Sequence, residues 1–176
     1  ELDNNKLRLL KETLQEQADR DSLTGLPNRK LFRDRLTQSL EWAATNDKLV
    51  ALLFLDLNGF KLINDTKGHS IGDLLLKGVA ERLQGCLRGS DTVSRLGGDE
   101  FTVILPGIPN EAVALTVAEK IRDTIDKQFE LEGHTIRVTT SIGVSLYPVN
   151  AEDIESLIDS ADTAMYEDKK KSKKVR

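Results

Sequence analysis

Arg95-Leu96-Gly97-Gly98-Asp99-Glu100-Phe101 joins two alternating runs, Asp91 to Leu96 and Phe101 to Leu105. Such runs around paired glycines read as a β-hairpin whose tip needs positive φ, a geometry only glycine takes cheaply. Two carboxylates, Asp99 and Glu100, follow the tip directly, where a strand would hold them rigidly. Bare backbone beside fixed acids suits a site that brings a phosphate chain and a metal ion together. The hairpin tip is therefore the first candidate for a catalytic centre.

Working outward, Leu49-Val50-Ala51-Leu52-Leu53-Phe54-Leu55 is a continuous apolar run, as expected of a strand covered on both faces, and it stops at Asp56. Asn58-Gly59 starts a turn, a short polar helix carries Lys61, Asn64 and Asp65, and Gly68 and Gly72 punctuate the loop before a helix from about Asp73 to Leu87. After the hairpin the pattern predicts a helix over 110–127, a strand over 136–147 and a helix over 154–168. Before it, a helix from Arg29 to Ala44 would bury Phe32, Leu36 and Leu40, with Trp42 a further candidate. Asp21 to Arg29 carries turn chemistry, and Glu1 to Arg20 reads as an amphipathic helix with Leu7, Leu10 and Leu14 on a narrow seam. That seam suits a short coiled coil or a plain surface helix. The expectation is an α+β fold: a central mixed, mainly antiparallel sheet surrounded by helices, with residues 1–20 as a linker helix and 21–176 as one domain.

The 176 residues, 39% of them hydrophobic, suffice for the core of one such domain. A net charge of −4 offers no general attraction for nucleic acid or anionic membrane. Cys86 stands alone, which excludes an internal disulfide or a cysteine-rich zinc site, and His69 and His134 are too few for a histidine metal cluster. Neither histidine suggests a role, and Cys86 reads as core filler. No apolar run approaches ~18 residues and no signal peptide is visible, so a cytoplasmic setting is expected, with membrane anchoring of a longer protein left open. The start at Glu1 suggests a piece of something larger.

Further motifs accompany the hairpin in order: Phe54-Leu55-Asp56-Leu57-Asn58-Gly59-Phe60-Lys61, Ile63-Asn64-Asp65, Gly68-His69, Gly72-Asp73, Thr140 to Ser145, Ala161-Asp162 and Ala164-Met165-Tyr166. With Gly97-Gly98-Asp99-Glu100-Phe101 and the Asp21 to Arg29 entrance, the chain from Asp21 to Lys174 resembles a GGDEF domain, the diguanylate cyclase family of bacterial signalling proteins. The resemblance implies a palm-like fold, as in nucleotidyl cyclases, and condensation of two GTP into cyclic di-GMP with release of two pyrophosphates. It also implies Mg²⁺ or Mn²⁺, a homodimer, and a sensory domain upstream in the full-length protein.

Residue by residue, the resemblance places metal on Asp56, the Leu57 carbonyl and Asp99. Glu100 beside the Gly97-Gly98 tip would help activate the attacking hydroxyl, directly or through a second ion. Asn64 and Asp73 match guanine readers, since a carboxylate accepts from guanine N1–H and the 2-amino group, a pair adenine lacks. Asn64 could instead end a helix, and Asp73 could cap the next one. Phe60, Lys61, Lys169 and Lys173 are carried over as substrate contacts. Lys173 stands where relatives often have arginine and lacks its two-pronged hydrogen bonding. Arg88-Gly89-Ser90-Asp91 matches a site that binds cyclic di-GMP and inhibits synthesis, with Lys120 near a third contact. The same Arg88 and Asp91 could be no more than an ion pair within a turn. Two other classes compete with a cyclase: a silent GGDEF domain that binds cyclic di-GMP or GTP and regulates a partner, and a different cyclase or polymerase-palm enzyme that would use ATP and lack the Arg88/Asp91 pair.

Overall fold

The apolar run that closes at Asp56 becomes the strand on which the other elements pack. The computed structural model describes residues 2–174, with side chains placed for 3–172. The elements are α1 (Leu2–Asp19), α2 (Arg29–Asn46), β1 (Leu49–Asn58), α3 (Phe60–Lys67), α4 (His69–Gly85), β2 (Thr92–Gly97), β3 (Glu100–Ile108), α5 (Glu111–Asp126), β4 (Phe129–Leu131), β5 (His134–Ile136), β6 (Thr139–Tyr147) and α6 (Ile154–Lys174). The main sheet runs β2-β3-β1-β6, and each of its three pairings is antiparallel, so the parallel component allowed by the sequence reading is not found among the described residues.

Alternation along β1 sorts two cores. Ala51, Leu53, Leu55 and Leu57 pack with Leu75, Val79 and Leu83 of α4 and Ala114 and Ile121 of α5. Val50, Leu52 and Phe54 pack with Phe32, Leu36 and Leu40 of α2 and Leu157, Ala161 and Met165 of α6. Burying a side chain of this size contributes about 1.5–3 kcal/mol, so a strand with seven such positions can only be central. Helix starts are fixed by side-chain acceptors: Asn28 Oδ1 takes the Leu31 N–H at 3.1 Å and Asn110 Oδ1 the Val113 N–H at 3.2 Å.

Four expectations need correction. Helix α4 begins at His69, because Gly68 at φ 93° makes the whole turn from α3; Asp73 then lies inside the helix and caps nothing. The strand expected over 136–147 starts later, as β6 at Thr139, because Ile136 ends β5, which pairs with β4 in a separate hairpin. The β4–β5 turn is Glu132-Gly133, both at positive φ (48° and 82°), the two-residue geometry that closes short hairpins. Helix α6 continues past Asp168 to Lys174, since lysine is a good helix former and Lys170 pairs with Glu167 one turn back at 3.7 Å. Trp42 is 47% exposed, its ring lying over Gly107 rather than in the core.

Helix α6 sits closest to the sheet at Gly143 of β6. A Cβ there would stand 2.0 Å from the Ala161 carbonyl oxygen and 2.1 Å from the Met165 nitrogen, both backbone atoms that no rotamer change can move. Gly143→Ala should cost about 3 kcal/mol or more in urea unfolding, the upper range for overpacking. Gly85→Ala, with nothing within 4 Å of its added methyl, should change stability by less than ~1 kcal/mol and serves as the control.

Candidate active site

The β1–β3 register sets Asp56 opposite Glu100, and the β1–β6 register sets it opposite Ser141. Asp99 immediately precedes β3, so three acids gather at one end of the sheet. The turn that delivers them uses Gly97 at φ 141° and Gly98 at φ 50°. Arg95 fixes this tip: its Nε and Nη2 donate to the Gly98 carbonyl at 2.9 and 2.8 Å, while Nη1 meets Asp21 Oδ1 at 2.8 Å. Asp21 is itself held by the Thr24 N–H and hydroxyl at 2.9 and 2.7 Å. Sequence reasoning gave Arg95 no role. The available signal was a cation two residues before the glycines and an acid in the entrance turn.

Lys169 of α6 donates to Asp56 Oδ2 at 2.7 Å, and Thr140 Oγ1 donates to the Asp56 carbonyl at 2.9 Å. Asp56 Oδ1 is buried and has no partner. Burial, then the neighbouring Asp56 carboxylate, push the Asp99 carboxyl up to about 7. Glu100 is also raised, first by burial and then by Asp56, with Arg29 at 4.0 Å opposing. The hydrogen bond to Asp56 raises Lys169. A cavity of about 390 Å³ opens on this cluster, lined by Asp56, Glu100, Asp162, Tyr166, Lys169 and Lys170 among others.

A divalent cation fits these residues. It would satisfy Asp56 Oδ1 and allow Asp99 to ionise, with the backbone carbonyl of Leu57 next along β1. Among the described residues no three acidic, histidine or cysteine side chains converge to hold an ion alone. One or two carboxylates completed by ligand phosphates and water is the habit of Mg²⁺.

A second group of site residues lies where α3 meets α4. Asn64 Oδ1 is buried without a partner, and a Cβ on Gly72 would come within 1.8 Å of it. Gly72 is therefore what gives the Asn64 amide its place, a role not seen in the sequence. Asp73 is exposed on the next residue of α4, and Lys61 is exposed on α3. Phe60 is 8% exposed and packs into the core, so its side chain supports this corner instead of lining an opening. The side chain of Lys173 lies outside the described residues.

Arg88 and Asp91 sit in the turn before β2. The Arg88 N–H donates to Asp91 Oδ2 at 2.9 Å and its guanidinium pairs with Oδ1 at 3.2 Å; Asp91 is nearly covered while Arg88 is exposed. The turn ion pair weighed from the sequence is thus present. Lys120 Nζ reaches the Cys86 carbonyl at 3.3 Å, on the approach to the same turn. Arg122 is occupied elsewhere, by Asp168 at 2.7 Å and Glu119 at 3.2 Å.

Residues 18–175 match the family model described as diguanylate cyclase, GGDEF domain, and the chain belongs to that family. It is 41% identical over its whole length to the diguanylate cyclase TpbB of Pseudomonas aeruginosa, of which it covers 41%. Over 146 residues, 83% of this chain, it is 45% identical to the bifunctional diguanylate cyclase/cyclic di-GMP phosphodiesterase MucR of the same organism, of which the match covers 21%. The solved GGDEF domain of TpbB superposes with a TM-score of 0.84 at 42% identity, covering 86% of this chain and 89% of that one. The coiled coil and GGDEF domain of DgcB from Caulobacter crescentus, solved with cyclic di-GMP, gives 0.86 at 29% identity, covering 96% and 90%. The chain thus spans less than half the length of these two curated relatives.

The raised Asp99 sets a pH trend. Above its ordinary 3.8 an unfolded chain releases this proton while the folded chain keeps it, so stability falls as pH rises toward about 7 and levels off beyond. Thermal unfolding in a chelator should show Asp99→Asn losing less stability than the parent chain between pH 5 and pH 8. Equal losses would remove Asp99 as the source.

Proposed function

We propose that this domain is a diguanylate cyclase. The observation that carries it is the meeting of Asp56, Asp99, Glu100 and Lys169 at one end of the sheet, beside an open cavity. Mg²⁺ or Mn²⁺ on Asp56, Asp99 and the Leu57 carbonyl would offset negative charge on the GTP phosphates. Lys169, with Lys61 and Lys173 as further candidates, contributes fixed positive charge for the same phosphates. Glu100, already proton-seeking through burial and the neighbouring Asp56, would help to remove the proton of a ribose 3′-hydroxyl, directly or by holding a second ion. The hydroxyl oxygen bonds to the α-phosphorus of the facing GTP, the bond to the β-phosphate oxygen breaks, and pyrophosphate leaves. The backbone around Gly97 and Gly98 leaves room for that ribose and phosphate. A second such step closes the ring.

Asn64 and Asp73 would select guanine. The unpaired Asn64 oxygen is the kind of buried acceptor that the wrong base leaves unsatisfied. Each chain holds one GTP, so synthesis requires two copies face to face. Helix α1 fits a linker that brings them together, with Leu7, Leu10 and Leu14 each more than half exposed. Arg88 and Asp91 would bind the cyclic di-GMP product and slow the enzyme, an arginine and a carboxylate addressing the two edges of guanine. Because the chain spans under half of TpbB and MucR, an upstream input domain belongs to the proposal, as does a cytoplasmic setting. No described helix is long and apolar enough to cross a membrane.

Incubation with GTP and Mg²⁺ followed by ion-exchange chromatography tests the reading. Cyclic di-GMP should rise more steeply than protein concentration, and Glu100→Gln should lower synthesis by at least about 100-fold while calorimetry still shows GTP binding. No product, even after fusion to an obligate dimer, would leave the silent binding module in possession. In the same assay, Asn64→Ala and Asp73→Ala should each cut the preference for GTP over ATP by about tenfold or more. Arg88→Ala combined with Asp91→Ala should relieve inhibition by added cyclic di-GMP; an unchanged inhibition curve would discard that site.

A further inference from the structure

A cavity of about 270 Å³ lies where the end of α1, the start of α2 and the turn before β2 come together. Pro27, Leu87 and Val93 contribute to its lining, together with three arginines, Arg20, Arg35 and Arg88. Asp91 is the only acid lining it, and both of its oxygens are already taken by Arg88. Among the described residues, neither Arg20 nor Arg35 forms an ion pair, whereas the neighbouring Lys30, Arg29 and Arg95 each meet a carboxylate. Burial, and then the charge of Arg20, hold the Arg35 guanidinium below its ordinary value. Two like charges facing one small cavity without a counter-charge focus positive potential into it. An anion with several acceptor oxygens would relieve that repulsion and match the fork geometry of arginine.

We propose that this cavity is the phosphate-binding part of the product site, with Arg20 and Arg35 contacting a phosphodiester of cyclic di-GMP whose guanine is addressed by Arg88 and Asp91. The assignment rests on the product-site reading of Arg88 and Asp91 and extends it to two residues outside that motif. It also gives the product a mechanical effect. Arg20 directly follows α1 and pairs through its backbone with Pro27, whose carbonyl accepts the Arg95 N–H at 3.0 Å. A ligand spanning Arg20, Arg35 and Arg88 ties the linker helix, α2 and the hairpin into one unit.

Titration calorimetry with cyclic di-GMP, without GTP, tests this on the parent chain and on Arg20→Gln, Arg35→Gln, Arg35→Lys and Arg88→Ala, each checked for folding by circular dichroism. Each glutamine variant should weaken binding by about tenfold, the size expected for one lost charged hydrogen bond. Arg35→Lys should weaken it less, and the losses should shrink at high salt. A drop for Arg88→Ala with no change for Arg20→Gln and Arg35→Gln overturns the cavity assignment and leaves the Arg88/Asp91 site standing. No binding by the parent chain overturns both. A parallel titration with inorganic pyrophosphate separates the two phosphate sources, cyclic di-GMP and released pyrophosphate: if only pyrophosphate binding depends on Arg20 and Arg35, cyclic di-GMP is not the ligand of this cavity and the assignment falls.

Discussion

Three carboxylates are held at one end of an antiparallel sheet, and their mutual repulsion is the condition the rest of the architecture answers. The β1–β3 register allows no escape, because slipping by one residue would turn the buried face of β1 toward the wrong core. The repulsion is relieved by a cation on one oxygen of Asp56 and a proton retained by Asp99, while the other Asp56 oxygen stays unpaired. Under the proposed function, this arrangement would receive a metal ion and a chain of phosphates. The same chemistry that costs stability makes the site receptive.

The cation comes from α6, and several contacts converge to place it. Asp168, next to Lys169, accepts the Ile142 N–H at 2.9 Å and meets Arg122 at 2.7 Å, which ties α6 to both β6 and α5. On the hairpin side, Arg95 fastens the glycine tip to Asp21 in the turn that follows α1. The candidate site is thus bounded by α6 on one flank and by the entrance turn on the other.

Much of this was legible in the sequence, for identifiable reasons. The run Leu49 to Leu55 is apolar without a break, which only a doubly covered strand tolerates, and Asp56 marks its end. The hairpin carried its turn in two glycines. Features that depend on contacts distant in sequence were not legible. Gly68 turning the chain alone, Gly72 making room for Asn64 and the inward packing of Phe60 all follow from how α3 crosses α4. The β4–β5 hairpin has three residues in each strand, too short for an alternation to register, though Glu132-Gly133 was a usable turn signal. Lys169 reads from the sequence as a phosphate contact, and its pairing with Asp56, 113 positions earlier in the chain, appears only once α6 is packed on the sheet.

The glycine at position 143 has a consequence for how this domain can vary. With the α6 backbone seated at Ala161 and Met165, the helix is indexed one turn before Lys169, much as a key is located by its shoulder rather than its tip. Lys169 lies one helical turn beyond Met165, so its position is inherited from that seat and owes nothing to the sequence after it. Changes from Lys170 onward can accordingly alter the charge around the cavity without moving the Lys169 cation away from Asp56.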